Sequence, residues 1–410
     1  MRPFLTASWL LLGAFAAGGA AVADEPTDRP SATQDDLEAR VQSQLEDVRE
    51  KAGFPGVTAA VAMPDGRILV AAAGWADPAH RIPLTPASRM PAGSAGKTFV
   101  AAAILQAVDD HVLDLDSPIE RWIGAEPWFD RIPNARALTL RLLLNHRSGV
   151  PEVFENDAFV KAVTTNVERA WSPRDLMEFV LDKKPLSRPG KKFSYTDMNY
   201  VIAGVVFEHA VGRPLFPEIE RRILKPLGLD QTVPLERRDW RGVVPGLLDR
   251  ADPVYFAAAA SGGETLRDGR FVYSAQAEYA GGGLISTSRD LARWATQLWE
   301  GRVFSQERLA EMLDAKPSEG NARYGLGVSI TGSGAGPVYG HDGWTPGYQT
   351  QVVYFPEFRL GAALQINSDP MKRYKLEPGS CLGQVVSVAV RALRAAKPSG
   401  AADTRAPAEE

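Results

Sequence analysis

Apolar positions in the first part of the chain follow a helical pattern and then an extended one. Within residues 34–51 they recur at steps of three and four, which predicts a helix with one apolar face. Residues 56–63 and 67–74 are apolar runs on either side of Pro64-Asp65-Gly66, and they predict two strands joined by a tight turn. A second helical spacing covers residues 97–108.

The middle of the chain differs from its two ends in the secondary structure that its sequence predicts. Short helical stretches broken by proline and glycine lie at 139–144, 173–181, 199–211 and 217–224. Strand patterns return at 325–330, 349–355 and 360–366. A helix is expected over 381–395. We therefore expect an α+β fold, in which residues 35–109 and 265–396 form one antiparallel sheet flanked by helices and residues 110–264 form an all-helical insert.

The two ends of the chain are not expected to belong to this domain of residues 35–396. Arg2, a short apolar run and Ala21-Val22-Ala23 are typical of a cleaved signal peptide at residues 1–23, and a membrane anchor is the alternative. Residues 24–34 are expected to be a flexible leader, and 397–410 a disordered tail. We accordingly expect a secreted, periplasmic protein without a membrane span in its mature chain.

Charge and composition narrow the class of function. The chain has a formal net charge of −4 and no basic run, so nucleic acid is not an expected partner. Its single cysteine, Cys381, precedes an apolar run and is expected to be buried rather than catalytic. Five histidines without metal-ligand spacing predict no metal site, and no cofactor is expected.

The sharpest chemical signal is Ser94-Ala95-Gly96-Lys97 at the start of the second predicted helix. Residues three apart lie on one helical face, so the Lys97 amine can reach the Ser94 hydroxyl. A serine becomes a good nucleophile when a neighbouring base takes its proton. Taken alone, the motif is equally typical of a helix-capping serine followed by a solvated lysine.

Two later segments give the motif a context, Tyr195-Thr196-Asp197 before a predicted helix and Gly340-His341-Asp342-Gly343-Trp344 before a predicted strand. With them the chain resembles the serine β-lactamase and penicillin-binding protein superfamily. The resemblance is to the branch of class C β-lactamases, D-alanyl-D-alanine carboxypeptidases and related esterases. Weaker landmarks in the same order lie at 143–151, 226–229, 281–287 and 324–327. It covers roughly residues 35–395 and implies a β-lactamase/transpeptidase-like fold.

The resemblance also implies a division of labour. Ser94 would be the acylated nucleophile and Lys97 its first proton partner. Tyr195 would act as a general acid or base, in a phenolate-like state stabilised by Lys97. The backbone N–H groups of Ser94 and Trp344 would form the oxyanion hole. Gly343 has no side chain and would let the backbone of its strand come close to the substrate.

Two positions depart from the family pattern. Asp197 stands where the branch has asparagine, and a carboxylate there would favour the charged form of Lys97 or orient it. His341 stands where β-lactamases usually have a lysine that binds the β-lactam carboxylate. A mostly neutral histidine argues against efficient β-lactamase activity, and we expect it to have a binding or electrostatic role.

The first hypothesis is an exported serine hydrolase that forms an acyl-Ser94 intermediate on an ester or a D-amino-acid-containing amide or peptide. Its expected partner is therefore a small-molecule or peptide acyl substrate. The alternatives are a class C-like β-lactamase and a non-catalytic binder of cell-wall fragments. A lipolytic α/β-hydrolase is disfavoured, because Ala92 stands where its Gly-x-Ser-x-Gly motif needs glycine.

Overall fold

The computed structural model describes residues 34–396 except 155, 237–239, 241, 251–254, 256–262, 335 and 370–373. The expected signal peptide, all of the leader but Gln34, and the expected C-terminal tail lie outside the described residues. Within the described part of the chain, no helix combines the length and the apolar character needed to cross a membrane.

The α-helices whose bounds the structure describes lie before residue 220 and after residue 287. Their bounds are α1 (Gln34–Ala52), α2 (Lys97–Asp109), α3 (Glu120–Ile123), α4 (Leu140–Leu144), α5 (Asp157–Thr165), α6 (Pro173–Met177), α7 (Asp197–Val211), α8 (Leu215–Ile219), α9 (Ser288–Trp299), α10 (Gln306–Leu313) and α11 (Pro378–Ala395). Shorter helical turns include Gly93–Gly96 and Ala275–Gly281, which flank the site described below, and a π-helical turn at Glu220–Leu224 extends α8.

The strands are β1 (Gly56–Ala62), β2 (Ile68–Asp77), β3 (Ile82–Pro83), β4 (Met90–Pro91), β5 (Val233–Pro234), β6 (Leu266–Arg267), β7 (Arg270–Phe271), β8 (Leu284–Ser286), β9 (Lys316–Pro317), β10 (Arg323–Tyr324), β11 (Ser329–Ser333), β12 (Gly336–Thr345), β13 (Tyr348–Phe355) and β14 (Leu360–Ile366). Nine of them form one sheet in the order β3-β2-β1-β14-β13-β12-β11-β10-β9. Every pairing in it is antiparallel. The two ends of the chain meet where β1 pairs with β14.

Helices cover both faces at the centre of this sheet. Successive residues of a strand point to opposite faces, and in β1 the side chains of Val57 and Val61 join a core formed with α1 and α11, which includes the buried Cys381. Ala60 of β1 joins the larger core on the other face, with α2, α9 and the helical part of the chain. At Gly361 of β14 an added Cβ would lie only 2.4 Å from a backbone oxygen of α9, so the small residue allows that helix to pack closely on the sheet.

The structure confirms the expected fold class, an antiparallel sheet flanked by helices. The division at residues 109/110 and 264/265 stays a prediction. The strand expected at 325–330 is wrong in its bounds, because Gly327 adopts a left-handed φ of 77° and the extended stretch starts only at Ser329. The sequence analysis also did not identify α5, α9 and α10.

Candidate active site

The Ser94 segment is a short 3₁₀ turn, Gly93–Gly96, that leads directly into α2. Strand β4 fixes its entry by pairing with β8, and the Ala92 amide continues this pairing with a 2.8 Å hydrogen bond to the carbonyl of Leu284. Ser94 is partly exposed, whereas its neighbours from 91 to 100 are buried. The fold therefore presents one hydroxyl to solvent from an otherwise buried segment.

Glycines allow two other backbone segments to close on this turn. A Cβ added at Gly343 of β12 would lie 1.9 Å from the carbonyl oxygen of Ala92. A Cβ added at Gly282 would lie 2.2 Å from the carbonyl oxygen of Gly93. Real Cβ atoms do not approach backbone atoms this closely. The Ser94 turn is thus held between β12 and the glycine run at 281–283 because these positions have no side chain.

The Lys97 ammonium is buried in the first turn of α2 and faces three oxygen atoms. Its Nζ donates to Ser94 Oγ over 2.8 Å. It also donates to the Asp197 carboxylate, with which it forms an ion pair, and to the carbonyl of Gly281. Three N–H donors match three acceptors. A neutral amine would also be satisfied, because it would accept from the Ser94 hydroxyl while donating to the other two.

Tyr195 lies beside this group, in the segment that precedes α7. The Lys97 Nζ is 5.0 Å from the centroid of its ring. Burial and the negative charge of Asp197 raise the pKa of Tyr195 well above its ordinary value, although its hydrogen bond with Ser94 opposes the shift. The resting tyrosine is therefore protonated, which contradicts the expectation of a phenolate-like state.

Two glutamates approach the Lys97–Asp197 pair. The Glu152 carboxylate accepts the backbone N–H of Asp197 at the start of α7 over 2.6 Å and the N–H of Phe154 over 3.0 Å. Burial, with the repulsion of Asp197, raises the pKa of Glu152 to about 8. The same two causes raise the pKa of Glu278 to about 8, against the attraction of Lys97. The charge of Lys97 thus interacts with three carboxyl groups, those of Glu152, Asp197 and Glu278.

His341 of β12 is buried and does not present a positive charge to the cleft. Its Nδ1 lies 2.6 Å from the backbone carbonyl of Asp342, which can only accept, so Nδ1 carries the proton. Its Nε2 lies 2.7 Å from the Tyr324 hydroxyl and accepts from it. Burial and the charge of Lys97 lower the pKa of His341 to about 3. The ring is therefore neutral, and the binding or electrostatic role expected of His341 stays a prediction.

The main chain of Trp344 faces the Ser94 turn. Thr345 and Tyr348 flank a two-residue turn between β12 and β13, so they form the hydrogen-bonded pair of the ladder. Hydrogen-bonded and non-hydrogen-bonded pairs alternate along an antiparallel ladder, so the next pair, Trp344 with Gln349, is not hydrogen-bonded. The N–H and C=O of Trp344 therefore point away from β13. On that side, the Cβ position of Gly93 lies 2.7 Å from the nitrogen of Trp344.

The structure thus brings together Ser94, Lys97, Tyr195, Asp197 and the Gly343-Trp344 segment, which the sequence analysis had selected from three distant motifs. Glu152 and Glu278 were missed. The described residues contain no group of three or more histidine, cysteine or acidic side chains arranged to hold a metal ion.

Comparisons with known proteins agree with this geometry. A family model described as Beta-lactamase matches residues 38–378. A "Putative D-alanyl-D-alanine carboxypeptidase" of Salmonella typhimurium is 25% identical over 365 residues, covering 75% of this chain and 77% of that protein.

Two solved structures are also similar. The D-amino acid amidase from Ochrobactrum anthropi SV3, complexed with L-phenylalanine amide, has a TM-score of 0.71 and 26% identity, covering 88% of this chain and 98% of that one. A D-stereospecific amidohydrolase from Streptomyces sp. has a TM-score of 0.68 and 28% identity, covering 81% and 94%.

Proposed function

Because the chain belongs to the beta-lactamase family, we propose that it is an acyl-serine hydrolase of D-amino acid amides or esters with Ser94 as nucleophile. The family includes serine hydrolases of the carboxypeptidase and D-amino acid amidase types. The proposal is supported by the hydrogen bond between Lys97 and a partly exposed Ser94 hydroxyl, beside a protonated Tyr195.

In the proposed acylation step, Ser94 Oγ attacks the substrate carbonyl carbon and its proton passes to the Lys97 amine. Asp197 and the Gly281 carbonyl hold the other two N–H groups, so the lysine stays oriented as its charge changes. Before the attack Lys97 must be a neutral amine, with its lone pair toward Ser94 Oγ and its two N–H groups toward Asp197 and the Gly281 carbonyl. The N–H groups of Ser94 and Trp344 stabilise the oxyanion.

Tyr195 is proposed to act as the general acid. Since its raised pKa keeps the phenol protonated, it can donate to the leaving nitrogen as the carbon–nitrogen bond breaks. The phenolate so formed takes the proton that Lys97 received from Ser94. Water then attacks the acyl-Ser94 ester, with the proton transfers reversed, and releases the acid and free Ser94.

The balance of charge at the site favours a substrate with a free ammonium group, and this observation carries the choice of substrate class. Glu152 and Glu278 both feel the negative charge of Asp197 and the positive charge of Lys97, and burial is the main cause of their raised pKa values. A substrate ammonium beside these carboxyl groups would favour their charged forms and be bound by them. A neutral His341, in contrast, offers no cation to a substrate carboxylate.

The test compares D-alanine p-nitroanilide with its N-acetyl derivative and its L enantiomer. The free D-amine should be hydrolysed fastest. Glu278→Gln should lower kcat/KM for the free amine about 10-fold or more, as expected for a lost charged hydrogen bond, and leave the N-acetyl substrate unaffected. Glu357→Gln, in an exposed turn between β13 and β14, is the matched control and should change neither.

Two results would overturn parts of this proposal. Faster hydrolysis of the N-acetyl compound would contradict recognition of the ammonium group. Efficient turnover of nitrocefin, with none of the amide, would support the class C-like β-lactamase instead.

We also propose that the protein is exported, on the strength of the charged start, apolar run and small-x-small pattern within residues 1–23. Edman sequencing of the protein from the periplasmic fraction should begin at Asp24. Recovery of the uncleaved chain from the cytoplasm would contradict export.

A further inference from the structure

His146 lies against Tyr195 and is completely buried. The centroids of the two rings are 4.1 Å apart, and the ring planes are tilted by 36°. The residue follows α4 and has a left-handed φ of 57°, a conformation uncommon for a residue with a side chain. A strained residue buried beneath a catalytic side chain indicates a functional constraint.

The hydrogen bonds of His146 define its tautomer. Its Nδ1 lies 3.2 Å from the backbone nitrogen of Thr196 and 3.2 Å from Nδ2 of Asn199. A backbone N–H can only donate, so Nδ1 is an acceptor and the neutral ring carries its proton on Nε2. The Ser148 hydroxyl donates to Oδ1 of Asn199 over 2.5 Å and thereby turns the amide so that its nitrogen faces His146.

The main chain of His146 holds the other side of the same segment. Its carbonyl accepts the N–H of Ser194 over 2.8 Å. The residues immediately before and after Tyr195 are therefore both bonded to His146, one through its carbonyl and one through its ring. A displacement of about 1 Å in such a segment costs on the order of 100-fold in rate.

We propose that His146, as a neutral imidazole accepting through Nδ1, is a positioning residue that aligns the Tyr195 phenol with Ser94 and with the leaving group. This inference rests on the proposed hydrolase function and deepens it. A protonated His146 would lose the acceptor and would bring a second positive charge near Lys97; burial and the Lys97 charge keep its pKa well below the ordinary value.

Two variants separate the ring from the acceptor. His146→Phe keeps a ring against Tyr195 but has no acceptor for the Thr196 N–H. His146→Asn loses the ring but places Oδ1 where Nδ1 stands. If the acceptor positions Tyr195, the asparagine variant should retain activity within about 5-fold of the wild type and the phenylalanine variant should not.

If His146 had only a structural role, its substitution would lower the rates of substrates with different leaving groups equally. A dependence of the rate loss on the leaving group therefore distinguishes the positioning role. An amine leaving group needs protonation by Tyr195, whereas p-nitrophenolate does not. For a shared D-alanyl group, His146→Phe should reduce kcat/KM, which reports acylation and not the shared deacylation step, about 10-fold more for the p-nitroanilide than for the p-nitrophenyl ester. Tyr195→Phe should show the same selectivity.

The outcomes distinguish this inference from the proposed function. Equal losses on ester and anilide in His146→Phe would refute the positioning role while leaving the hydrolase intact. An inactive wild type would refute the hydrolase itself. If His146→Phe does not fold, Ser148→Ala is the second variant; it frees the Asn199 amide and also removes the acceptor of the Val150 N–H. It should show a smaller loss with the same preference for the ester, and equal losses there would likewise refute the inference.

Discussion

Replacing Gly343 by alanine tests the close approach between β12 and the Ser94 turn. The added Cβ would lie 1.9 Å from the carbonyl oxygen of Ala92, 3.0 Å from its carbon and 3.2 Å from the nitrogen of Ala95. All three neighbours are backbone atoms of a buried segment, so no flexible side chain can give way. The strand must withdraw from the turn by about 1 Å to restore a normal contact.

This withdrawal carries the Trp344 N–H away from Ser94. We therefore expect kcat/KM on a p-nitrophenyl ester to fall on the order of 100-fold, because reacting groups misplaced by about 1 Å lose that much. The free energy of unfolding should fall by about 1–3 kcal/mol, the usual cost of overpacking, which leaves the protein folded. Urea unfolding and steady-state kinetics measure the two effects.

Gly332→Ala is the matched control, since no atom lies within 4 Å of an added Cβ on β11. It should change neither quantity. A folded Gly343→Ala enzyme with kcat/KM within about 3-fold of the wild type would refute the reasoning, because the oxyanion donor would then not depend on this contact.

Three further predictions concern the charged groups. Lys97→Met should abolish acylation. It should also lower the free energy of unfolding by about 3–5 kcal/mol in urea titrations, because it leaves the Asp197 carboxylate without its counter-charge. The double variant with Asp197→Asn should recover part of the lost stability, and additive losses would contradict the ion pair. Asp197→Asn alone replaces the charged acceptor of Lys97 by a neutral one, so kcat/KM on a p-nitrophenyl ester should fall about 10-fold because the amine is held less firmly. An unchanged kcat/KM would contradict a role of this ion pair in catalysis. Glu152 and Glu278 have pKa values raised to about 8, so they bind more protons in the folded state, and their contribution to stability should be lost as pH rises from about 4.5 through 8. His341, with its pKa lowered to about 3, acts in the opposite sense, and its contribution should be lost as pH falls below about 6.5. Urea unfolding at pH 6.5 and 8.5 should therefore show lower stability at the higher pH and a smaller difference in Glu278→Gln; the same difference in both proteins would contradict the assignment.

The proposed nucleophile and its partners could be selected from the sequence because their spacing is local. Ser94 and Lys97 are three residues apart at the start of a helix, and the Tyr195 and Gly343 motifs are short runs of characteristic residues. The long apolar stretches at the centre of the sheet were equally readable. Leu360–Ile366 is a strand with the predicted bounds, since every residue in it is buried.

The charges and protonation states at the site could not be predicted from the sequence. Glu152 and Glu278 are far apart in sequence, one in a loop after α4 and the other in the helical turn Ala275–Gly281. Neither belongs to a motif, so only tertiary packing brings their charges near Lys97. The protonated state of Tyr195 follows from burial and from Asp197, whereas the motif alone favoured a phenolate. The hydrogen bond between Tyr324 and Nε2 of His341 joins two strands that are not neighbours in the sheet, and no sequence pattern indicated it. Helix α9 did have a signal that was missed, with Thr287 capping the amide of Asp290 at its start.

Intact-mass spectrometry of the full chain after reaction with a fluorophosphonate probe shows whether Ser94 is an activated nucleophile. We expect a single covalent adduct on the wild type that is absent from Ser94→Ala. A folded wild-type protein that forms no adduct, or an adduct that persists in Ser94→Ala, would contradict it.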